Sequence, residues 1–300
     1  MKLLLFVSIL FAAHTLLRRN SVNSNLSKWL RSGLYGSTTE ISAKASTIQN
    51  DDKVAGRYPY VAYIYLDKED LVWRCGGTLI AQDVVLTAAH CLPKSGTFSG
   101  SVTLGGYESY NNEPQENFKI NSIVKHPRFS WIGYPDNDVA IVKLDRCSGV
   151  QPITLKQPGG TQLIDNEVFT VLGWEDTLDD QGYEKETTIQ ESRVRYNKQC
   201  EPWRSQKTLG NMTESMLCTS LDERLSKRVI PKRGDSGGAL LIKGQQPKDD
   251  VQIGVVSFGY DKPGRKTPVP TVYASVESTF SWILQARNAI SQCSTQNISY

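Results

Sequence analysis

Gly234-Asp235-Ser236-Gly237-Gly238 constrains the fold of this chain more than any other stretch. It satisfies the G-x-S-x-G pattern of an α/β-hydrolase nucleophile elbow, a fold that needs a histidine later in the chain than the serine. No histidine follows Ser236. The elbow also needs alternating strands and long helices, whereas this chain reads as short apolar runs separated by Gly, Pro, Asn and Asp turns. That fold is excluded. Strand candidates are 60–66, 84–87, 139–144, 168–174, 239–242 and 251–257, spaced by turn signals as in all-β barrels.

Ser236 is still a candidate nucleophile. A serine hydroxyl reacts poorly at neutral pH, so it needs an imidazole to take its proton and a carboxylate to hold that imidazole in the right tautomer. The chain has three histidines. His14 lies in an N-terminal apolar run, His126 precedes a proline, and His90 lies in Leu86-Thr87-Ala88-Ala89-His90-Cys91. His90 is the candidate base. The carboxylate with the best context is Asp138, which opens the strand-like run Val139-Ala140-Ile141-Val142-Lys143-Leu144 and would be carried inside beside an imidazole.

Met1-Lys2 followed by the apolar run Leu3 to Ala13 has the pattern of a secretory signal peptide, taken here as residues 1–17. A signal anchor reaching Leu17 before Arg18-Arg19 is the competing reading, and no other run approaches the roughly 20 apolar residues of a spanning helix. Residues 18–47 are rich in Ser, Asn, Thr and Arg and read as a propeptide or linker, so the body runs from Ile48 to residue 300. Asn25-Leu26-Ser27, Asn211-Met212-Thr213 and Asn297-Ile298-Ser299 are glycosylation sequons that a secretory route would make usable. A net charge of +3 without clustered basic residues gives no sign of nucleic-acid binding. Six cysteines in such a chain suggest three disulfides, with the pairing left open by sequence alone. Phe280, Ile283, Leu284 and Ile290 recur at helical spacing after Ser278, the expected N-cap.

Thr87-Ala88-Ala89-His90-Cys91, Asp136 to Leu144 (DNDVAIVKL) and Gly234 to Gly238 (GDSGG), in that order, resemble the chymotrypsin-like (trypsin family) serine peptidases. The resemblance extends to CGGTLI from Cys75, VLGW from Val171, MLC from Met216, VVSFG from Val255 and TVYASV from Thr271, and covers roughly residues 48–290. It implies two packed six-stranded antiparallel β-barrels with a C-terminal α-helix. It also implies a secreted serine endopeptidase that works through an acyl-enzyme on Ser236 with His90 and Asp138, takes protein or peptide substrates, meets protein inhibitors, and uses no cofactor. The N–H groups of Gly234 and Ser236 would form the oxyanion hole, and Gly234 would permit the turn that aims them. Asp235 would pair with a new terminus at Ile48, and Ser257-Phe258-Gly259 would bind the substrate backbone as an added strand. The resemblance implies pairing of Cys75 with Cys91 and of Cys200 with Cys218. Cys147 and Cys293 then remain.

Several positions depart from the family pattern. Thr47, rather than Arg or Lys, precedes Ile48; a trypsin-like activator would cut at Lys44 or Lys53 instead, leaving too many residues or too few. A catalytically silent homologue that acts as a binding or decoy module is therefore the alternative function. The cysteine that usually braces the specificity pocket is absent, with Lys232 and Arg233 in that stretch. Ile230 stands where the family places the pocket floor, and an aliphatic floor would leave a substrate Arg or Lys buried and unpaired. Thr271 would shorten the slot and Gly259 would keep its entrance open, so small or medium apolar residues should fit. A shifted loop could instead bring Asp222 or Glu223 to the floor. Glu108, Glu113 and Glu116 form an acidic loop where some relatives bind calcium, although Gly106 replaces an expected ligand and a solvated loop is the simpler reading.

Overall fold

A computed structural model describes residues 56–68, 71–94, 97–105, 116–174, 189–201, 212–222, 224, 234–259 and 270–293. The expectations for residues 1–47, Ile48, Glu108, Glu113 and Ile230 fall outside them, as do those for Glu223, Lys232 and Arg233. Six strands form the first barrel: β1 (Val61–Lys68), β2 (Leu71–Ala81), β3 (Val84–Thr87), β4 (Ser99–Leu104), β5 (Glu116–Lys125) and β6 (Ala140–Leu144). Their order is β1-β2-β3-β6-β5-β4, and antiparallel pairing of β1 with β4 closes the ring.

The second barrel follows the two-residue strand β7 (Thr154–Leu155). It comprises β8 (Val168–Trp174), β9 (Ile189–Tyr196), β10 (Met216–Leu221), β11 (Ala239–Ile242), β12 (Val251–Phe258) and β13 (Thr271–Ser275). The order is β11-β8-β9-β10-β13-β12, closed by pairing of β11 with β12, while β7 lies parallel to β12. The fold is thus the pair of six-stranded antiparallel barrels expected.

Side-chain alternation builds both interiors. Ala62, Ile64 and Leu66 of β1 point inward with Leu79, Leu86, Val102 and Ile141, and Phe169, Val171, Leu240, Ile253 and Tyr273 fill the second barrel. A buried hydrogen bond from Thr78 Oγ1 to Gln252 Oε1 (2.6 Å) joins β2 to β12, one barrel to the other.

Helix α1 (Val276–Ile290) packs against β12, β6 and β7. Its N-cap is Ser275, not Ser278: the Ser275 side chain accepts from the Ser278 N–H, and Ser278 lies in the first turn, where its hydroxyl donates back to the Ser275 carbonyl. The apolar stripe runs through Val276, Ile283 and Ala286, with Phe280 and Ile290 half-buried against the same core. Just past the helix, buried Asp83 accepts from Ser291 Oγ (2.6 Å), the N–H groups of Gln292 (2.8 Å) and Cys293 (3.1 Å), and the Lys143 ammonium. Burial alone would raise the Asp83 carboxyl pKa, but the donors from Lys143, Ser291 and Gln292 outweigh it and hold the group below its ordinary value. Disulfides join Cys75 to Cys91, Cys147 to Cys293 and Cys200 to Cys218.

Candidate active site

His90 sits in a single 3-10 turn, Ala89–Cys91, that leaves the end of β3. The turn is anchored on both sides. Thr87 Oγ1 donates to the Gly76 carbonyl (2.7 Å), Trp73 Nε1 donates to the Cys91 carbonyl (2.5 Å), and the Cys75–Cys91 bond ties the turn to β2. Asp138 enters from the far side, just ahead of β6, with a side chain fully shielded from solvent. Its Oδ1 accepts from the His90 backbone N–H (2.9 Å), and its Oδ2 meets His90 Nδ1 at 2.6 Å and accepts from Ser257 Oγ at 2.6 Å. An ionised carboxylate only accepts, so Nδ1 carries a hydrogen, and whenever the ring is neutral Nε2 is the nitrogen left with the lone pair.

Ser236 lies on a turn that β2 and β12 hold. Its carbonyl accepts from the Gly76 N–H (2.7 Å), Gly237 N–H donates to the Val256 carbonyl (2.8 Å), and Gly238 donates its N–H to the Asp235 carbonyl (2.9 Å) and accepts from the Val256 N–H (2.8 Å). Gly234 has φ +93° and Gly237 φ +82°, a region that side chains other than glycine rarely adopt. At Gly237 space forbids a side chain as well, because a Cβ would lie 2.2 Å from Thr87 Oγ1 and 2.3 Å from the Gly76 carbonyl oxygen. The serine turn therefore abuts the residues that lead into His90, and Cys91 Sγ lies 3.5 Å from the Ser236 carbonyl oxygen.

The other candidate residues spread around this junction. Asp235 is wholly buried, with Oδ1 accepting from the Trp174 N–H at 2.6 Å. Phe258 stacks flat on Tyr134, with centroids 5.2 Å apart and planes 10° apart, while Gly259 is exposed. Thr271 is buried, and its Oγ1 stands 3.6 Å from where a Gly259 Cβ would be. Asp222 is committed elsewhere: Arg224 and Arg195 Nε (2.6 Å) both donate to its carboxylate and hold its pKa well below the ordinary value. The carboxylate of Glu116 turns to Ser148 Oγ and the Gly149 N–H (3.2 Å).

Two features near the dyad had no signal in the sequence. Trp131, on the exposed hairpin between β5 and β6, meets the His90 ring edge-on with centroids 5.4 Å apart. Asn137, the residue before Asp138, is buried at φ +50°. An aromatic in a polar loop and an Asn before an Asp are commonplace strings, and nothing local shows what they touch.

The trypsin family model matches residues 47–283, most of the chain. The chain belongs to the trypsin family. Human granzyme H is similar to it, with 29% identity over 234 residues, covering 75% of this chain and 84% of the granzyme. Trypsin-1 of Salmo salar is 29% identical over 252 residues, covering 80% of this chain and 93% of the trypsin. Rat granzyme B is 31% identical over 245 residues, covering 75% and 84%. Among solved structures, that of GrC superposes with a TM-score of 0.63 at 25% identity, covering 79% of this chain and 97% of that one. As a trypsin-family protein the chain is a serine endopeptidase, a hydrolase whose substrates are proteins or peptides. Among the described residues, no helix is long and apolar enough to cross a membrane.

Proposed function

We propose that this trypsin-family chain cleaves peptide bonds through an acyl-enzyme on Ser236. The observation that carries the reading is the double grip of Asp138 on His90, through the ring and through the backbone, beside the Ser236 turn. His90 Nε2 takes the hydroxyl proton as Ser236 Oγ adds to the substrate carbonyl. The N–H groups of Gly234 and Ser236 receive the oxyanion, and collapse breaks the C–N bond while His90 returns the proton to the leaving amine. Water then repeats the sequence and frees the acid.

The mature enzyme is residues 48–300, released to the exterior after removal of a signal peptide over 1–17 and a propeptide or linker over 18–47. The apolar leader, the sequons and three disulfides support that route. The Ile48 ammonium pairs with Asp235, for which a buried carboxylate is the expected partner. Specificity is for small or medium apolar residues: Ile230 is aliphatic, Thr271 faces Gly259, and Asp222 is already neutralised by two arginines.

A fluorophosphonate probe tests the reading, because only an activated serine reacts quickly. The mature chain should label stoichiometrically and Ser236→Ala should not, with turnover lower by about a millionfold. A chain that binds its target yet never labels is the silent homologue instead.

A further inference from the structure

Asp138 is preceded by a residue in an uncommon backbone region. Asn137 holds a left-handed conformation (φ +50°), which Asn tolerates better than most residues, and this turn delivers Asp138 to His90. Its carbonyl accepts from the Val139 N–H (2.8 Å), and its N–H points at two acceptors, Asp136 Oδ1 (3.0 Å) and Ser215 Oγ (3.1 Å).

Asp136 is the centre of that arrangement. Its Oδ1 also accepts from Thr213 Oγ1 (2.6 Å) and from Ser215 Oγ, both from the segment that leads into β10 of the second barrel. That segment is itself fixed: Ser215 N–H donates to Thr213 Oγ1 (3.3 Å), and the Ser215 carbonyl accepts from the N–H of Ser275, the cap of α1. The Asp136 backbone pairs in both directions with Ser130 (2.9 and 3.2 Å), closing the base of the hairpin that carries Trp131 to the His90 ring.

We infer that Asp136 is a positioning residue for the Asp138–His90 dyad, tying it to the second barrel through Thr213 and Ser215. The inference rests on the triad reading proposed above. Asp138 and His90 come from the first barrel and Ser236 from the second, so their relative placement depends on what joins the barrels here. A misplacement of about 1 Å lowers rate by roughly a hundredfold.

The experiment uses the mature chain and reads kcat, KM and the fluorophosphonate labelling rate, with thermal unfolding as the check on folding. Asp136→Ala should lower kcat and the labelling rate together by about ten- to a hundredfold, with KM nearly unchanged. Asp136→Asn keeps the acceptor oxygen and should recover most of the loss. Ser215→Ala and Thr213→Val attack the same junction from the other barrel and should reproduce part of it, including where Asp136→Ala does not fold. Folded Asp136→Ala with wild-type kcat and labelling, a loss confined to KM, or failure of Asp136→Asn to recover overturns the inference. Ser236→Ala runs alongside. Activity surviving in Ser236→Ala would sink the triad reading, whereas an inert Ser236→Ala beside a fully active Asp136→Ala sinks only the role of Asp136.

Discussion

Gly173 lies directly against the carboxylate of Asp235: a Cβ on Gly173 would sit 2.6 Å from Oδ1 and 2.8 Å from Oδ2. The contact lets Asp235 reach the Trp174 N–H from inside the second barrel. Gly173→Ala should push the carboxylate off that donor and cost about 1–3 kcal/mol of stability, as overpacking does. Thermal unfolding and active-site titration should both fall. An unchanged melting temperature with full titration would contradict the contact.

Ser257 shares Asp138 Oδ2 with His90. A hydrogen bond to a charged group contributes about 1.5–3 kcal/mol, so Ser257→Ala should lower kcat/KM by roughly ten- to a hundredfold. Progress curves on one peptide substrate give the ratio. Parity with the parent enzyme would remove Ser257 from the machinery.

His126 is buried, packs edge-on against Trp282 at 4.8 Å, and accepts the Arg128 N–H on Nδ1 at 3.2 Å. Burial, then the nearby Arg128 charge, holds its pKa below the ordinary 6.5, against a smaller opposing pull from Asp136. The unfolded chain therefore takes up this proton first, so the contribution to stability is intact above about pH 7 and is lost as pH falls through and below the unfolded value. His126→Asn keeps an acceptor for Arg128 and removes the titration. The fall in melting temperature between pH 7 and pH 5 should shrink in that variant. An identical fall would assign the acid sensitivity elsewhere.

A peptide library should show cleavage after small or medium apolar residues, because Asp222 is occupied by Arg195 and Arg224 and Ile230 carries no charge. Dominant cleavage after Arg or Lys would refute this.

The barrels were legible where strands are buried on both faces. The runs at 84–87, 139–144 and 168–174 read directly from their apolar residues and reappear as β3, β6 and β8. Strands β5 and β9 did not, since ENFKINSIVK and IQESRVRY carry charge on their outer faces and their pairing partners supply the reason to be extended. At the candidate site, His90, Asp138 and Ser236 stood out because their chemistry is scarce and their flanks distinctive. Asp136, Ser215 and Trp131 did not, because their meaning lies in contacts up to 79 residues apart. Ser275 displaced Ser278 as helix cap for a local reason: either serine can cap, and the extended backbone at Ser275 decides it.

The Cys147–Cys293 bond spans a sequence separation of 146 residues and encloses the whole second barrel with its connecting loops. A proteolytic nick anywhere between those cysteines leaves two peptides in one covalent molecule, further held by Asp83 gripping the segment after α1. Damage to a loop of the second barrel is thus invisible as a change of mass on a gel until a thiol reductant is added, and a molecule nicked there can go on working as a single particle.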